Sequence, residues 1–256
     1  MKVVILAGGF GTRLAEETGR IPKPMVEIGG RPILWHIMKI YSSYGFNEFI
    51  ICLGYKGYLV KEFFKNYLLH VSDLTLDMET GSCQIHEKRG EPFKVTLIDT
   101  GEETQTGGRL KRVAPHIGNE PFFLTYGDGV ADIDIAAQLQ FHKSHGKMAT
   151  VAAIVPPGRF GALHLEENDQ VTKMGEKLDT VSAFINGGFF VLEPGVLDLI
   201  DGDLSEWEQD PMTSLAAMGE LLAYRHDGFW QAMDTLRDTN YLRELWESGK
   251  APWKLW

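Results

Sequence analysis

Lys2-Val3-Val4-Ile5-Leu6-Ala7-Gly8-Gly9-Phe10-Gly11-Thr12-Arg13 is the stretch from which the rest of the chain is read. Val3 to Ala7 is an unbroken apolar run without in/out alternation, cut off by glycine, which predicts a buried strand. Gly8, Gly9 and Gly11 carry no Cβ, so backbone N–H groups in this loop can approach an anion closely. Thr12 adds a hydroxyl donor, and Arg13 adds a permanent charge with a planar fork of donors suited to phosphate. Further on, Pro22-Lys23-Pro24-Met25 holds a lysine between two prolines. Two cations on a short tether can flank one polyphosphate.

Two well-known glycine motifs do not fit. A dinucleotide-binding G-x-G-x-x-G would need a third glycine where Leu14 stands, and no G-K-S/T triplet of a P-loop occurs. A plain turn joining strand to helix accounts for the glycines taken alone. Arg13 and Lys23 together move the reading towards phosphate.

The 256 residues suffice for one sizeable α/β domain with a large core. A formal net charge of −10 argues against a nucleic-acid backbone as partner, so cations at the N-terminal loop are a local feature of an acidic body. Cys52 lies in an apolar strand pattern and Cys83 in a polar hairpin. Without C-x-x-C spacing they suggest a reducing compartment and no metal cluster. No stretch approaches the ~18 apolar residues of a membrane span. The short apolar run at the start ends in glycines, unlike a signal peptide. The expectation is a cytoplasmic protein with no membrane and no nucleic acid among its partners.

Along the chain, a helix is expected over Pro32–Tyr41, a strand over Phe49–Leu53 and a helix over Leu59–Leu69. Strand, helix, strand, helix begins a parallel sheet with crossover helices. Leu74 to Lys88 breaks the rhythm with alternating residues around Thr80-Gly81-Ser82, the pattern of an inserted hairpin, either an edge extension or a flap or subunit contact. Val95–Asp99 is a core strand, followed by the polar loop Gly101–Arg112 in a position where open α/β sheets bind ligands. Phe122–Tyr126 is the next strand and ends in Gly127-Asp128-Gly129, whose uncrowded carboxylate suits a hard divalent cation. A helix over 134–145, a strand over Met148–Val155, a hairpin around Ala162–Leu165 and Val171–Met174, and a strand over Phe184–Leu192 follow. The expected remainder is a helix over Met212–Leu222, a short strand ending in Asp234, and a helix over Thr239–Ser248 with an aromatic tail. Asp234 reads either as a second cation ligand or as a helix cap, since Asp-Thr is a common helix start. Trp246, Trp253 and Trp256 read as surface packing or a subunit interface. His36, His86, His142 and His145 show no metal-ligand grouping and read as surface or half-buried residues.

Taken together, these residues resemble the sugar-1-phosphate nucleotidylyltransferases. Leu6-Ala7-Gly8-Gly9-Phe10-Gly11-Thr12-Arg13 with Pro22-Lys23-Pro24-Met25 is similar to the family's double motif, and the resemblance runs over nearly the whole chain. Tyr126-Gly127-Asp128-Gly129, Pro157-Gly158-Arg159-Phe160-Gly161, Ile185-Asn186-Gly187-Gly188-Phe189-Phe190, Trp230-Gln231-Ala232-Met233-Asp234-Thr235-Leu236-Arg237-Asp238 and Thr106-Gly107-Gly108-Arg109-Leu110-Lys111-Arg112 resemble its cytidylyl branch, the enzymes of glucose 1-phosphate. The family usually has a proline after its Glu-Lys pair; here Leu178 follows Lys177.

The resemblance implies one Rossmann-like α/β domain: a mixed, mostly parallel sheet flanked by helices, with an inserted β-hairpin. Residues 1–147 would be mainly the nucleotide-binding half and 148–256 mainly the sugar-phosphate-binding half. It implies the reaction of CTP with α-D-glucose 1-phosphate to CDP-glucose and pyrophosphate, with Mg²⁺. Arg13, Lys23 and Asp128 are the implied catalytic residues. Leu6, Ala7, Gly8, Gly9, Gly11, Thr12, Arg13, Lys23, Thr104, Arg109 and Gly127 are implied to bind the nucleotide, with Thr104 and Arg109 near the base or its ribose. Lys177 is implied to hold the sugar phosphate, Glu176 and Asn186 its hydroxyls, and Asp128 and Asp234 the metal. A homo-oligomer is implied, a hexamer among the candidate states. Competing readings are a thymidylyl or uridylyl enzyme of the same fold, a silent nucleotide-binding homologue, or a glycosyltransferase with a related fold.

Overall fold

The computed structural model describes residues 1–14, 18–87, 89–155, 162–165, 171–175 and 184–256. Its centre is a seven-stranded sheet. In chain order the strands are β1 (Lys2–Leu6), β2 (Glu48–Leu53), β3 (Lys94–Asp99), β4 (Phe122–Tyr126), β5 (Ala149–Ile154), β6 (Ile185–Leu192) and β7 (Leu221–His226). Across the sheet the order is β7-β5-β6-β4-β1-β2-β3. β1 pairs parallel with β2 and β4, β2 with β3, and β5 with β7, whereas β6 runs antiparallel to both β4 and β5. The sheet is therefore mixed and mostly parallel, as expected.

The unbroken apolar run of β1 has a direct cause in this arrangement. Val3 and Ile5 face a core that includes Ile33, Ile37 and Tyr41, while Val4 and Leu6 face a second core with Leu110, Val113 and Trp207. Both faces are covered, so neither can carry polar residues. The flanking helices are α1 (Ile33–Ser43), α2 (Gly57–Val71), α3 (Thr106–Arg112), α4 (Ile135–His145), α5 (Asp210–Ala217) and α6 (Leu236–Glu247). Leu74–Leu76 and Cys83–Ile85 form the expected antiparallel hairpin outside the main sheet, and Ala162–Leu165 pairs with Val171–Gly175 in a second ribbon. Cys83 is exposed, whereas burial pushes the Cys52 thiol up to about 12. Among the described residues no helix is long and apolar enough to cross a membrane.

Four expectations are corrected. The helix expected over Met212–Leu222 stops at Ala217, because Gly219 turns the chain at a φ of +69°. Leu221–His226 then becomes edge strand β7, parallel to β5, a pairing that local periodicity does not reveal. The last helix begins at Leu236 rather than Thr239: Thr235 is its N-cap and Asp238 completes a capping box. Within the aromatic tail Trp253 is core rather than surface, fully buried and stacked between Phe229 and Trp246, while Trp246 and Trp256 are partly buried against the same cluster. Finally, His36 and His142 are buried rather than superficial. His36 Nε2 lies 2.8 Å from the Ile28 carbonyl and its Nδ1 3.3 Å from Trp253 Nε1, and burial pushes its pKa down to about 4.

Candidate active site

The chain lays β1, β2 and β3 side by side and then places β4 on the other flank of β1. The loops leaving β1 and β4 therefore diverge at one crevice, the place where open α/β sheets bind ligands. The Gly127 amide donates to the Leu6 carbonyl at 2.9 Å, tying the two loops together. A Cβ on Gly127 would lie 3.0 Å from that carbonyl oxygen and 3.1 Å from Pro24 Cγ. Here glycine permits close approach of two backbones.

A cavity of about 300 Å³ opens at this point, lined by Leu6 to Gly11, Lys23, Thr104, Arg109, Gly127 and Asp128 among others. The loop glycines have different local reasons. A Cβ on Gly8 would sit 2.2 Å from Arg109 Nη1, whereas one on Gly9 would meet nothing within 4 Å. Gly11 has a φ of +63°, which favours glycine. Thr12 is exposed, at the start of the single 3-10 turn Thr12–Leu14 that contains Arg13. The Arg13 side chain lies outside the described part of the structure.

Lys23 projects from a short 3-10 turn, Lys23–Met25, that its flanking prolines favour. Its Nζ donates to Asp128 Oδ2 at 2.6 Å and to Asp234 Oδ1 at 2.7 Å. Burial works against the ammonium, but Asp128 first and then Asp234 outweigh it and hold the pKa above the ordinary lysine value. The two acids meet because Gly129–Ala131 pairs antiparallel with Trp230–Ala232, and the Met233 amide donates to the Asp128 carbonyl at 2.8 Å. Since Thr235 caps α6, the capping alternative for Asp234 is set aside.

Two convergent carboxylates form a donor set that suits a small hard cation completed by phosphate oxygens and water. Among the described residues no group of three or more His, Cys, Asp or Glu side chains could hold a metal by itself. The pair thus fits a divalent cation that arrives with a phosphate-bearing ligand.

A second cavity of about 230 Å³ lies beside the first, lined by Asn186, Gly187, Trp230 and Asp234, with Tyr126 and Asp128 shared between the two. The site is thus two chambers joined at the Lys23 cluster. Glu176 and Lys177 lie outside the described residues.

The matching family model is that of the nucleotidyl transferases, over residues 2–247. The chain belongs to the nucleotidyl transferase family. It is 62% identical over 257 residues to the glucose-1-phosphate cytidylyltransferase of Salmonella typhi, with all of both chains covered. It is 46% identical over 259 residues, again with both chains fully covered, to a "probable glucose-1-phosphate cytidylyltransferase" of Bacillus subtilis. Among solved structures, HddC from Yersinia pseudotuberculosis superposes with a TM-score of 0.69 at 24% identity, covering 96% of this chain and 99% of that one. That last likeness concerns the fold.

Within this family member, Arg109 occupies a different local setting from the one the motif suggests. It is 4% exposed, and its guanidinium reaches the Leu53, Gly101 and Glu102 carbonyls and Thr100 Oγ1. It braces the wall of the first cavity with donors already engaged. The Thr106-Gly107-Gly108 stretch is the first turn of α3, not loop, and its glycines make room for backbone: added Cβ atoms would lie 2.7 Å from the Ser205 carbonyl oxygen and 2.5 Å from that of Asp203. Sequence reasoning did not single out Tyr126, Thr106 or Glu208 individually. Tyr126 Oη donates to Glu208 Oε1 at 2.5 Å, and Thr106 Oγ1 donates to Glu208 Oε2 at 2.6 Å. Nothing local marks Glu208, because its partners come from distant segments.

Proposed function

We propose that this chain transfers a cytidylyl group from CTP to α-D-glucose 1-phosphate, giving CDP-glucose and pyrophosphate. The observation that carries this reading is the junction itself: a lysine and two carboxylates where two chambers meet, in a chain 62% identical over its full length to a glucose-1-phosphate cytidylyltransferase. One chamber takes the nucleotide and the other the sugar phosphate. Residues 1–147 supply most of the first, and both halves of the chain line the second.

An oxygen of the sugar phosphate attacks the α-phosphorus in line, the bond to the β-phosphate oxygen breaks, and pyrophosphate leaves. No covalent enzyme intermediate is needed, so the protein's task is alignment and charge compensation. Leu6, Ala7, Gly8, Gly9, Gly11, Thr12 and Gly127 line and shape the nucleotide side, with Thr104 and Arg109 forming the wall near the base. Arg13 holds the β- and γ-phosphates. Lys23 contacts the α-phosphate, where negative charge grows in the transition state. Asp128 and Asp234 hold Mg²⁺, which supplies further charge neutralisation when bound. Lys177 binds the sugar phosphate, and Glu176 and Asn186 contact its hydroxyls. The enzyme acts in the cytoplasm as a homo-oligomer.

The deciding experiment incubates the protein with Mg²⁺, glucose 1-phosphate and each of CTP, UTP, dTTP, GTP and ATP, measuring pyrophosphate release. CTP is expected to dominate. Release with UTP or dTTP but not CTP would overturn the cytidylyl reading and leave a sister activity of the same fold.

A further inference from the structure

Tyr126, the last residue of β4, forms part of the wall of both chambers. Its ring is seated on Gly188, where φ is +78° and a Cβ would lie 2.5 Å from Tyr126 Cδ2. Its hydroxyl has two partners: it donates to Glu208 Oε1 and accepts from Asn186 Nδ2 at 3.3 Å. The Asn186 Oδ1 accepts the Gly188 amide at 2.8 Å. On the other side, Thr106 Oγ1 accepts the Trp207 amide at 2.8 Å and donates to Glu208 Oε2 at 2.6 Å.

We infer that Glu208 is a positioning residue for sugar recognition, fixing the polarity of the Asn186 amide through the Tyr126 hydroxyl. A carboxylate accepts hydrogen bonds and cannot donate them, so the single Tyr126 proton goes to Glu208. The phenol oxygen is then left as an acceptor, which requires Asn186 to turn its amide nitrogen towards it. The Gly188 amide favours the same orientation from the other end, and Glu208 removes its competitor, a Tyr126 proton turned towards the Asn186 amide. One N–H of Asn186 is spent on Tyr126, and its second remains for the chamber that Asn186 lines. That donor selects an acceptor oxygen, such as a hexose hydroxyl held lone pair first. Burial and the neighbouring Glu208 hold the Tyr126 pKa well above its ordinary value, so the hydroxyl keeps the proton this relay needs. Glu208 also accepts from Thr106 at the start of α3, but Thr106 keeps the Trp207 amide as a second anchor, so loss of Glu208 leaves the wall of the first chamber in place.

This inference rests on the proposed assignment of the second chamber to the sugar phosphate, and its test separates the two ideas. Turnover of CTP and glucose 1-phosphate by the unaltered enzyme tests the assignment. Calorimetric binding of α-D-glucose 1-phosphate, which needs no turnover, tests the relay in Glu208→Ala, Glu208→Gln, Tyr126→Phe and the Glu208→Ala/Tyr126→Phe double variant.

Glu208→Ala is expected to weaken glucose 1-phosphate binding about tenfold, the worth of one misplaced hydrogen bond. The KM for CTP should change less than about threefold, and Glu208→Gln, which keeps an acceptor for Tyr126, should recover most of the loss. Tyr126→Phe should lose no more than Glu208→Ala, since it removes the competing proton as well, and the double variant should match Tyr126→Phe, because Glu208 acts on Asn186 only through that hydroxyl. Unchanged sugar-phosphate binding in Glu208→Ala, equal losses for CTP and sugar phosphate, or additive losses in the double variant would each overturn the relay. An unaltered protein that does not bind glucose 1-phosphate would overturn the assignment of the second chamber and the relay with it, whereas binding without turnover would overturn the proposed reaction alone.

Discussion

Asp128 and Asp234, far apart in the chain, share one ammonium: Lys23 Nζ lies 2.6 Å from an oxygen of the first and 2.7 Å from an oxygen of the second. The lysine is largely buried, with its side chain 12% exposed. Like charges brought this close repel unless a cation stands between them. Lys23 therefore stabilises the crossing of two loops, and would compete for the carboxylates with the divalent cation proposed to bind there.

Replacing Lys23 with alanine is accordingly expected to have two opposite effects. Turnover should fall about a hundredfold or more, with a much smaller change in KM for CTP, because the role proposed for Lys23 places its charge mainly on the transition state. Binding of Mn²⁺ alone, followed by electron paramagnetic resonance, should tighten in the same variant. Unaltered kcat would remove Lys23 from the chemistry, and unaltered Mn²⁺ affinity would show that the ammonium does not compete.

Asp128→Asn keeps the shape of the side chain and removes its charge. The Mg²⁺ concentration for half-maximal rate should rise about tenfold or more, and circular dichroism should show an intact fold. A normal metal dependence would move the ligand assignment elsewhere.

His36 gives a pH dependence whose sign follows from its burial. Its folded pKa is about 4, whereas an unfolded histidine titrates near 6.5. Between those values the unfolded chain binds more protons, so stability falls as pH drops from about 6.5 to about 4 and this contribution then levels off. His36 accounts for about 3 kcal/mol of that loss. Burial lowers the pKa of His142 and His145 as well, adding to the same trend. Urea denaturation across this pH range should show the decline, and His36→Gln should flatten it in part. An unchanged slope in the variant would exclude His36 as a source.

The loop glycines are separable by substitution. Gly8→Ala forces a Cβ against the engaged Arg109 guanidinium and should destabilise the protein by about 1–3 kcal/mol. Gly9→Ala meets no neighbour, so stability should stay within about 0.5 kcal/mol while affinity for CTP weakens. Equal stability losses at the two positions, read from chemical denaturation, would contradict the packing reason for Gly8.

Much of this molecule was legible from residues close together in the chain. The apolar run of β1, the glycines after it, the prolines around Lys23 and the turn before Asp128 each carry their own backbone preference, so strands, helices and candidate charges could be named from the sequence. The motifs also identified the family. What local pattern could not supply were the meetings between segments. The strand Leu221–His226 exists because β5 has an edge to pair with, and Trp253 is core because α1 and the 229–233 segment leave room for it. Arg109 is implied by its motif to bind the nucleotide near the base or its ribose, yet folding surrounds its guanidinium with carbonyls. Asp234 reads in sequence as a cation ligand with helix capping as the alternative, until Thr235 takes the cap and Lys23 arrives from the other end of the chain. Periodicity and turn chemistry act over a few residues, whereas these contacts depend on strand order and register across the whole sheet. The sequence by itself therefore determined most of the elements and the chemistry of the side chains; the tertiary structure decided the edge strand Leu221–His226 and which side chains stand within hydrogen-bond reach.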